Sequence, residues 1–215
     1  MPTYKKLAPG YNKIVLNSWK EFLDYVYDDM LDFGAYVWRG QRCDNWKLEP
    51  TINRLVNSTS VPFAQAYDFQ LKQLGSFKFA ARGRRSSNPP QLNDENDWWA
   101  LGQHHGLATP LLDWTTSPFV AAFFAFSEVA KPQTSYRAIF SLHQPSIESW
   151  AKRKKLNENR ERKAKKKLDK PVGLLGSLEY MEVEEEIIFH RPLSDENHRL
   201  VNQGGLFTKS RTGNV

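Results

Sequence analysis

The segment from Leu101 to Ala125 constrains the fold most, because it places polar and reactive residue types between apolar runs that belong in a core. The pair Leu111-Leu112 predicts a short buried strand, which a hydroxyl triplet, Thr115-Thr116-Ser117, follows. Ser117 precedes Pro118, the combination of an N-cap and a first-turn proline, so a helix should begin there. The helix Phe119–Phe126 is apolar on almost every side, so we expect it to lie beneath other layers and hold the triplet rigidly at a pocket.

An arginine is predicted where a core strand ends in the first part of the chain. Ser18 and Glu21 form a capping box, and apolar residues follow at helical spacing, which predicts a helix over about residues 18–31. After Gly34, the β-prone run of residues 35–38 leads directly into Arg39-Gly40-Gln41. The guanidinium of Arg39 is therefore expected at the end of a buried strand.

Two further helices are predicted in the middle of the chain. One runs through Phe63 to Phe77 and ends before a charged, turn-rich loop over residues 82–90. The next begins near Asp94 and ends at Gly106, a typical C-terminal stop. This helix places Gln103, His104 and His105 in its last turn.

Beyond the apolar helix, the pattern predicts strands at Tyr136–His143 and Glu182–Arg191. Alternate glutamates of the second strand, at 182, 184 and 186, share one face, where their like charges repel each other. This cluster is either an ordinary exposed strand face or a functional group of carboxylates. Helices followed by such strands predict an α+β fold.

Composition limits the class of protein. The chain has 215 residues, of which 40% are hydrophobic, enough for one domain with a single core. The single cysteine, Cys43, excludes an internal disulfide framework, and the five histidines include no His-x-x-x-His pair, so no metal site is predicted. Without a leader or a long apolar run, we expect a soluble, cytoplasmic protein that does not enter membranes.

Positive charge is concentrated in one segment. Residues 152–170 contain eleven Lys or Arg and three acidic residues, a net charge of +8, whereas the whole chain carries +6. A mildly acidic domain therefore carries a basic insert at about residues 152–170. The insert is either a polyanion-binding segment or a solvated helix or loop whose charge has no specific partner.

Five short motifs together resemble the FRG domain, a family named for its Phe/Tyr-Arg-Gly motif. They extend over roughly residues 36 to 208, with two departures: Trp38 replaces the usual Phe or Tyr, and Pro110 replaces a usual arginine. FRG domains usually continue beyond the last motif, so a C-terminal truncation is expected. The motifs are Trp38-Arg39-Gly40-Gln41, Trp46-Lys47-Leu48-Glu49-Pro50 with Arg54, Gln103-His104-His105-Gly106-Leu107, Leu111-Leu112-Asp113-Trp114-Thr115 and Gln203-Gly204-Gly205-Leu206-Phe207.

Three elements also resemble, in their order, the ADP-ribosyltransferase superfamily with the arginine, serine-threonine-serine and glutamate-x-glutamate pattern. They are Arg39, the triplet Thr115-Thr116-Ser117 followed by a helix, and Glu184-Glu185-Glu186 followed by an apolar strand. Threonine rather than serine opens the triplet, which keeps the hydroxyl. The resemblance implies an α+β, ADP-ribosyltransferase-like split β-sandwich core with flanking N-terminal helices, and NAD as substrate.

The resemblance implies catalytic roles for two glutamates. Release of nicotinamide from NAD leaves positive charge on the ribose, and Glu186 would stabilise that charge. Glu184 would orient or deprotonate the acceptor. Arg39 would bind the pyrophosphate as a rigid fork, and Thr116 with Ser117 would support Glu186 and the ribose through hydrogen bonds.

Other residues complete the predicted site. Gly40 and Thr115 belong to the predicted cofactor-binding set, and Trp38 or Trp114 would stack on nicotinamide, although a buried tryptophan more often belongs to the core. The segment Gln103-His104-His105 is particular to the FRG motif and is predicted to contact substrate; the alternative is a pair of structural histidines. A hydrolytic triad of Asp113, His105 and Ser117 is disfavoured without a Gly-x-Ser-x-Gly turn.

The leading functional hypothesis is an NAD-dependent ADP-ribosyltransferase, a bacterial toxin or phage-defence effector, with nucleic acid as acceptor. The basic insert favours RNA or DNA, RNA foremost, because phosphate contacts dominate such binding. A toxin implies a cognate antitoxin protein. The alternatives are a protein ADP-ribosyltransferase, an NAD glycohydrolase, a protein-interaction module, and a non-catalytic nucleic-acid-binding module whose tryptophans stack on bases.

Overall fold

The structure is a computed structural model that describes residues 3–8, 11–30, 32–59, 62, 65–85, 87, 89–128, 134–168, 187–191 and 205–210. The described part is a mixed α/β arrangement built on an antiparallel sheet. In chain order its strands and α-helices are β1 (Thr3–Ala8), β2 (Tyr11–Val15), α1 (Trp19–Asp24), β3 (Tyr36–Gln41), α2 (Thr51–Asn57), α3 (Ala66–Ala80), α4 (Glu95–His104), β4 (Leu111–Thr115), α5 (Pro118–Phe126), β5 (Ala138–His143), α6 (Gln144–Leu168), β6 (Ile187–His190) and β7 (Gly205–Ser210).

The central sheet has the strand order β5-β3-β4-β7-β6, and all of its neighbouring strands are antiparallel. Strands β3 and β5 pair along their whole length, as do β4 and β7. Between β3 and β4, however, the described ladder consists of the single pair Trp38 and Thr115. The sheet is therefore opened between its second and third strands. Strands β1 and β2 form a separate antiparallel hairpin.

Helix α5 packs directly against β3, and glycine makes this approach possible. A Cβ atom at Gly40 would lie 1.9 Å from the carbonyl oxygen of Ala121 and 2.8 Å from the backbone nitrogen of Ala125. Both alanines are buried. The glycine of the Arg39-Gly40 pair is thus required by backbone packing in the core.

The N-terminus of α5 is confirmed, but its predicted burial on every side is wrong. Ser117 accepts a hydrogen bond from the Val120 N–H, and Pro118 occupies the first turn. Phe123 and Phe126 are 62% and 60% exposed. Because the alanine face packs on β3, the opposite face carries these phenylalanines into solvent.

Several other predicted elements are confirmed. The Ser18 cap and α1 are present, but the α-helix continues as a π-helix over Tyr25–Asp29 and stops earlier than predicted. Asp94 caps α4, and β5 and β6 lie within the predicted strand regions. Helix α3 covers Ala66–Ala80, and Phe63, where the predicted helix begins, lies outside the described residues. The hairpin β1-β2 and helix α2 are absent from the sequence predictions.

The basic insert is part of a long helix over the part of the chain that the structure describes. Helix α6 continues for 25 residues from Gln144 to Leu168, directly after β5. Lys152, Arg153 and Arg160 are exposed on it. No helix among the described residues has the length and apolar character needed to span a bilayer.

Candidate functional site

A cleft of about 460 Å³ opens where β3 and β4 diverge, and we call it the Arg39 cleft. Its walls come from β3, β4 and β7, from the loop after β3, and from α2, α4 and α5. The lining residues are Trp38, Arg39, Gly40, Gln41, Arg42, Trp46, Lys47, Arg54, Ala100, Gln103, His104, Asp113, Trp114, Thr115, Phe124, Gly205 and Phe207.

Positive charge dominates this lining. Arg39, Arg42, Lys47 and Arg54 face the cleft, and Asp113 is the single acidic residue among the described lining residues. Of the four cations, Arg42 is paired with Glu128. The Arg42 guanidinium also lies 5.3 Å from the centroid of the Trp46 ring, in cation-π contact. A cationic cleft of this size suits an anionic ligand with an aromatic group.

The Arg39 side chain connects β3 and β4, which share a single ladder pair among the described residues. It lies inside β3, so the prediction that it closes the strand is wrong by two residues. Its Nη1 atom donates a hydrogen bond of 2.8 Å to the backbone carbonyl of Asp113 and lies 3.6 Å from the Asp113 carboxylate. The side chain is 17% exposed, and its Nε atom is buried with no partner among the described residues.

Asp113 is held by Gln103, which is itself oriented by Thr109. The Gln103 amide donates to Oδ1 of Asp113, and the Thr109 hydroxyl donates to Oε1 of Gln103. Thr109 also accepts a hydrogen bond from the Leu111 N–H, at 3.3 Å, so its own proton is directed to Gln103. This order of donors fixes the amide nitrogen of Gln103 towards Asp113.

The same network continues to the N-terminus of α2. Thr109 is fully buried, and its N–H donates to the Thr51 hydroxyl at 2.9 Å. Its carbonyl accepts from the Ile52 N–H at 3.2 Å. Thr51, Thr109, Gln103, Asp113 and Arg39 therefore form one connected hydrogen-bonded chain, whose last three members line the cleft.

Burial perturbs both charged members of the pair. It lowers the pKa of Arg39, Asp113 opposes that shift, and the nearby positive charge of Arg54 adds to it. Although 60% of the Asp113 side chain is accessible from the cleft, surrounding protein raises the pKa of its carboxyl, against the effects of Arg39 and Gln103. The Arg39 guanidinium stays protonated, because its intrinsic pKa is far above neutral.

The hydroxyl triplet is divided between different environments. Thr115 ends β4 and lines the cleft, and its Oγ1 accepts a hydrogen bond of 3.1 Å from the Ser117 N–H. Thr116 is exposed, and the Ser117 hydroxyl caps α5. Neither Thr116 nor Ser117 is among the described residues that line the cleft.

The two predicted histidines lie in different environments, and both predicted tryptophans are buried. His104 lines the cleft, whereas His105 caps α4 and packs against Phe77, with 6.4 Å between ring centroids. Trp38 borders the cleft but is 2% exposed, and its indole N–H donates to the Phe33 carbonyl. Trp114 is likewise buried, and its indole N–H donates to Thr208 at 2.8 Å.

The predicted catalytic glutamates, Glu184 and Glu186, lie outside the described residues. The structure brings Arg39, Gly40, Thr115, Gln103 and His104 together at one cleft.

The site predicted from the sequence lacks Asp113 and Arg54, which line the cleft, and Thr109, which orients Gln103. A signal for Asp113 was present, since it is the single charged residue in the apolar strand Leu111–Thr115. No comparable local signal marks Thr109, because its role depends on contacts with α2 and α4.

Comparison with protein families supports the first of the two resemblances. The FRG domain matches residues 34–134, a region that contains β3, α2, α3, α4, β4 and α5 and most of the cleft lining. No curated protein and no solved structure matches the chain. The matched region ends before α6, β6 and β7.

Proposed function

We propose that the protein is an NAD-dependent ADP-ribosyltransferase that binds NAD in the Arg39 cleft. One observation carries the proposal: a guanidinium fixed by backbone and carboxylate contacts shares a cleft of about 460 Å³ with three further cations. The pyrophosphate of NAD is a dianion, and planar, preoriented arginine binds such groups well. The proposal includes a split, ADP-ribosyltransferase-like β core, and the opening of the sheet between β3 and β4 supports it.

In the proposed reaction, the bond between the nicotinamide nitrogen and ribose C1′ breaks, and neutral nicotinamide leaves with the electron pair. A nucleophile of the acceptor attacks C1′ and loses its proton to Glu184. Glu186 stabilises the positive charge that develops on the ribose. In the sequence, Glu186 directly precedes β6, an edge strand of the central sheet. No metal enters this reaction.

Nucleic acid, with RNA first, is the proposed acceptor. Helix α6 contains most of the basic insert and exposes Lys152, Arg153 and Arg160. A 25-residue helix is about 37 Å long, so it offers an extended track for phosphates. The toxin or phage-defence setting and a cognate antitoxin belong to the same proposal, and they rest on the family resemblance alone.

The decisive experiment incubates the protein with NAD labelled on its adenylate group, separately with RNA, DNA and cell-extract protein. Label transfer and nicotinamide release are both followed. Glu186→Gln should abolish the reaction and keep NAD binding, whereas Arg39→Ala should lose NAD binding. Arg84→Ala, at an exposed arginine in the loop after α3, is the matched control and should behave as wild type.

A second candidate is a non-catalytic nucleic-acid-binding module, favoured by the stacked Arg42 and Trp46 beside other cations. The same experiment, with RNA binding of each variant measured beside it, separates the two. Nicotinamide release without transfer indicates a glycohydrolase, and transfer to the protein fraction indicates a protein ADP-ribosyltransferase. Tight RNA binding with neither product, unchanged or strengthened in Glu186→Gln, supports the binding module and overturns the transferase.

A further inference from the structure

Asp113 introduces a hydrogen-bond acceptor into a cleft that otherwise suits anions. It is the single acidic residue among the described lining residues, and its side chain is 60% accessible there. A carboxylate beside Arg39 repels any phosphate that approaches both side chains. An accessible carboxylate at this position can instead accept hydrogen bonds from hydroxyl or amino groups of a ligand.

The two carboxylate oxygens retain acceptor capacity. Oδ1 accepts one hydrogen bond from Gln103, and Oδ2 lies 3.6 Å from Nη1 of Arg39, which is too long for a good hydrogen bond. The carboxyl also interacts with its own backbone N–H. Each carboxylate oxygen can accept two hydrogen bonds. Gln103, held by Thr109, fixes the carboxylate so that the remaining lone pairs stay in place.

We propose that Asp113 accepts hydrogen bonds from the 2′- and 3′-hydroxyls of a nucleotide ribose whose diphosphate is held by Arg39. This inference rests on the proposed NAD function of the cleft. The ribose is the part of a nucleotide that lies within reach of Asp113, because the sugar is bonded directly to the diphosphate. The base is separated from the diphosphate by the whole sugar. Since Asp113 is adjacent to Arg39, its carboxylate meets the sugar first. A carboxylate that accepts from ribose hydroxyls is also a known solution in dinucleotide sites.

The test compares ligands that differ only in the sugar. Binding of ADP, 2′-deoxy-ADP and 2′,3′-dideoxy-ADP is measured by calorimetry on the full chain, together with NAD and inorganic pyrophosphate. Wild type should bind ADP about tenfold or more tightly than 2′,3′-dideoxy-ADP, because hydrogen bonds to a charged acceptor are strong. The 2′-deoxy compound should fall between them.

Asp113→Asn should change affinities in opposite directions. It should weaken ADP binding about tenfold and remove the preference over the dideoxy compound, yet strengthen pyrophosphate binding, because a negative charge is gone. Asp68→Asn, which removes an exposed carboxylate of α3, is the matched control and should leave every affinity within twofold.

The two proposals fail in different ways. NAD binding that requires Arg39, with ADP bound no better than 2′,3′-dideoxy-ADP, overturns the ribose contact and leaves the nucleotide function standing. Absence of NAD and ADP binding overturns both. Equal weakening of ADP and pyrophosphate by Asp113→Asn also overturns the ribose contact, because only a structural role predicts it.

Discussion

Arg39 and Asp113 are joined by a side-chain-to-backbone hydrogen bond of 2.8 Å at the point where their strands part. The described ladder between these strands consists of the neighbouring pair Trp38 and Thr115. A guanidinium thus satisfies a carbonyl that a neighbouring strand would otherwise bind. The residue proposed to hold the ligand is also one that holds the sheet.

Arg39→Lys should therefore affect both stability and binding. Lysine keeps the charge but lacks the planar fork, so it cannot reproduce the carbonyl contact and the carboxylate contact together. We expect the free energy of unfolding to fall by about 1–3 kcal/mol, the range for a lost charged hydrogen bond. Urea unfolding measures this loss, and Arg84→Lys should show almost none. Equal stability of the two variants would contradict the bridging role.

Gly40→Ala tests the close packing of β3 on α5. The added methyl group would lie 1.9 Å from a backbone oxygen of Ala121, so strand or helix must shift. A loss of about 1–3 kcal/mol in unfolding free energy is expected from such overpacking.

The matched control for this prediction is Gly75→Ala in α3. Beyond its own helix backbone and chain neighbours, no atom of the described residues lies within 4 Å of its added Cβ. Alanine is also the better helix former, so this variant should gain about 0.5–1 kcal/mol. Thermal or urea unfolding should give opposite signs for the two variants.

Thr109→Val removes the hydroxyl that orients Gln103. The Leu111 N–H loses its acceptor, and the Gln103 amide loses the donor that fixes its direction. We expect about 1–3 kcal/mol of destabilisation and, under the ribose proposal, loss of the preference for ADP over its dideoxy analogue. Calorimetric titration and urea unfolding measure the two effects.

Thr208→Val is the control that separates the loss of stability from the loss of the preference for ADP. Its hydroxyl is equally buried and accepts the Trp114 indole N–H, outside the Gln103 network. A similar stability loss with the sugar preference intact is expected. If both variants keep the preference, Gln103 does not position Asp113 for the ligand.

The raised pKa of Asp113 predicts a pH dependence. Burial makes the ionised carboxyl less favourable in the folded protein than in the unfolded chain, so the folded state binds its proton first as the pH falls. The stability of wild type relative to Asp113→Asn should therefore rise from neutral pH towards the usual value of 3.8. Urea unfolding of both proteins across this interval measures the difference. A fall in the stability of wild type relative to Asp113→Asn as the pH falls would show instead that the carboxylate is net stabilising.

Helix α6 predicts a salt dependence if nucleic acid is the acceptor. Replacing Lys152, Arg153 and Arg160 together by glutamine should weaken RNA binding and reduce the slope of log K against log salt by roughly 2, because each lost phosphate contact removes about 0.7 for single strands. Fluorescence anisotropy across a salt series measures this. An unchanged slope would exclude these three side chains from the interface.

Local signals predicted the elements that depend on neighbouring residues. Ser117 before Pro118 predicted the start of α5, and Asp94 predicted that of α4. The hairpin β1-β2 escaped prediction because its Lys-rich strands lack apolar alternation. Phe123 and Phe126 were placed inside because an apolar pattern cannot say which face of a helix its partner covers.

The candidate site was only partly predictable for a similar reason. Arg39 and Gln103 belong to recognisable motifs, but their connection runs through Asp113 and Thr109, which meet them through the sheet register and the approach of α4. Register between strands distant in sequence is set by tertiary packing, so no local pattern specifies it.

Because the Arg39 cleft lies at the opening between β3 and β4, ligand occupancy of the cleft and the stability of the sheet should be linked. Strands β5 and β3 are paired by a continuous ladder, and so are β4, β7 and β6. Between β3 and β4, the described contacts are one ladder pair and the hydrogen bond of Arg39 to Asp113. Under the ribose proposal, a ligand that contacts Arg39 of β3 and Asp113 of β4 would connect the two parts of the sheet across this opening. Ligand binding in the cleft should then stabilise the sheet and raise the melting temperature of the protein.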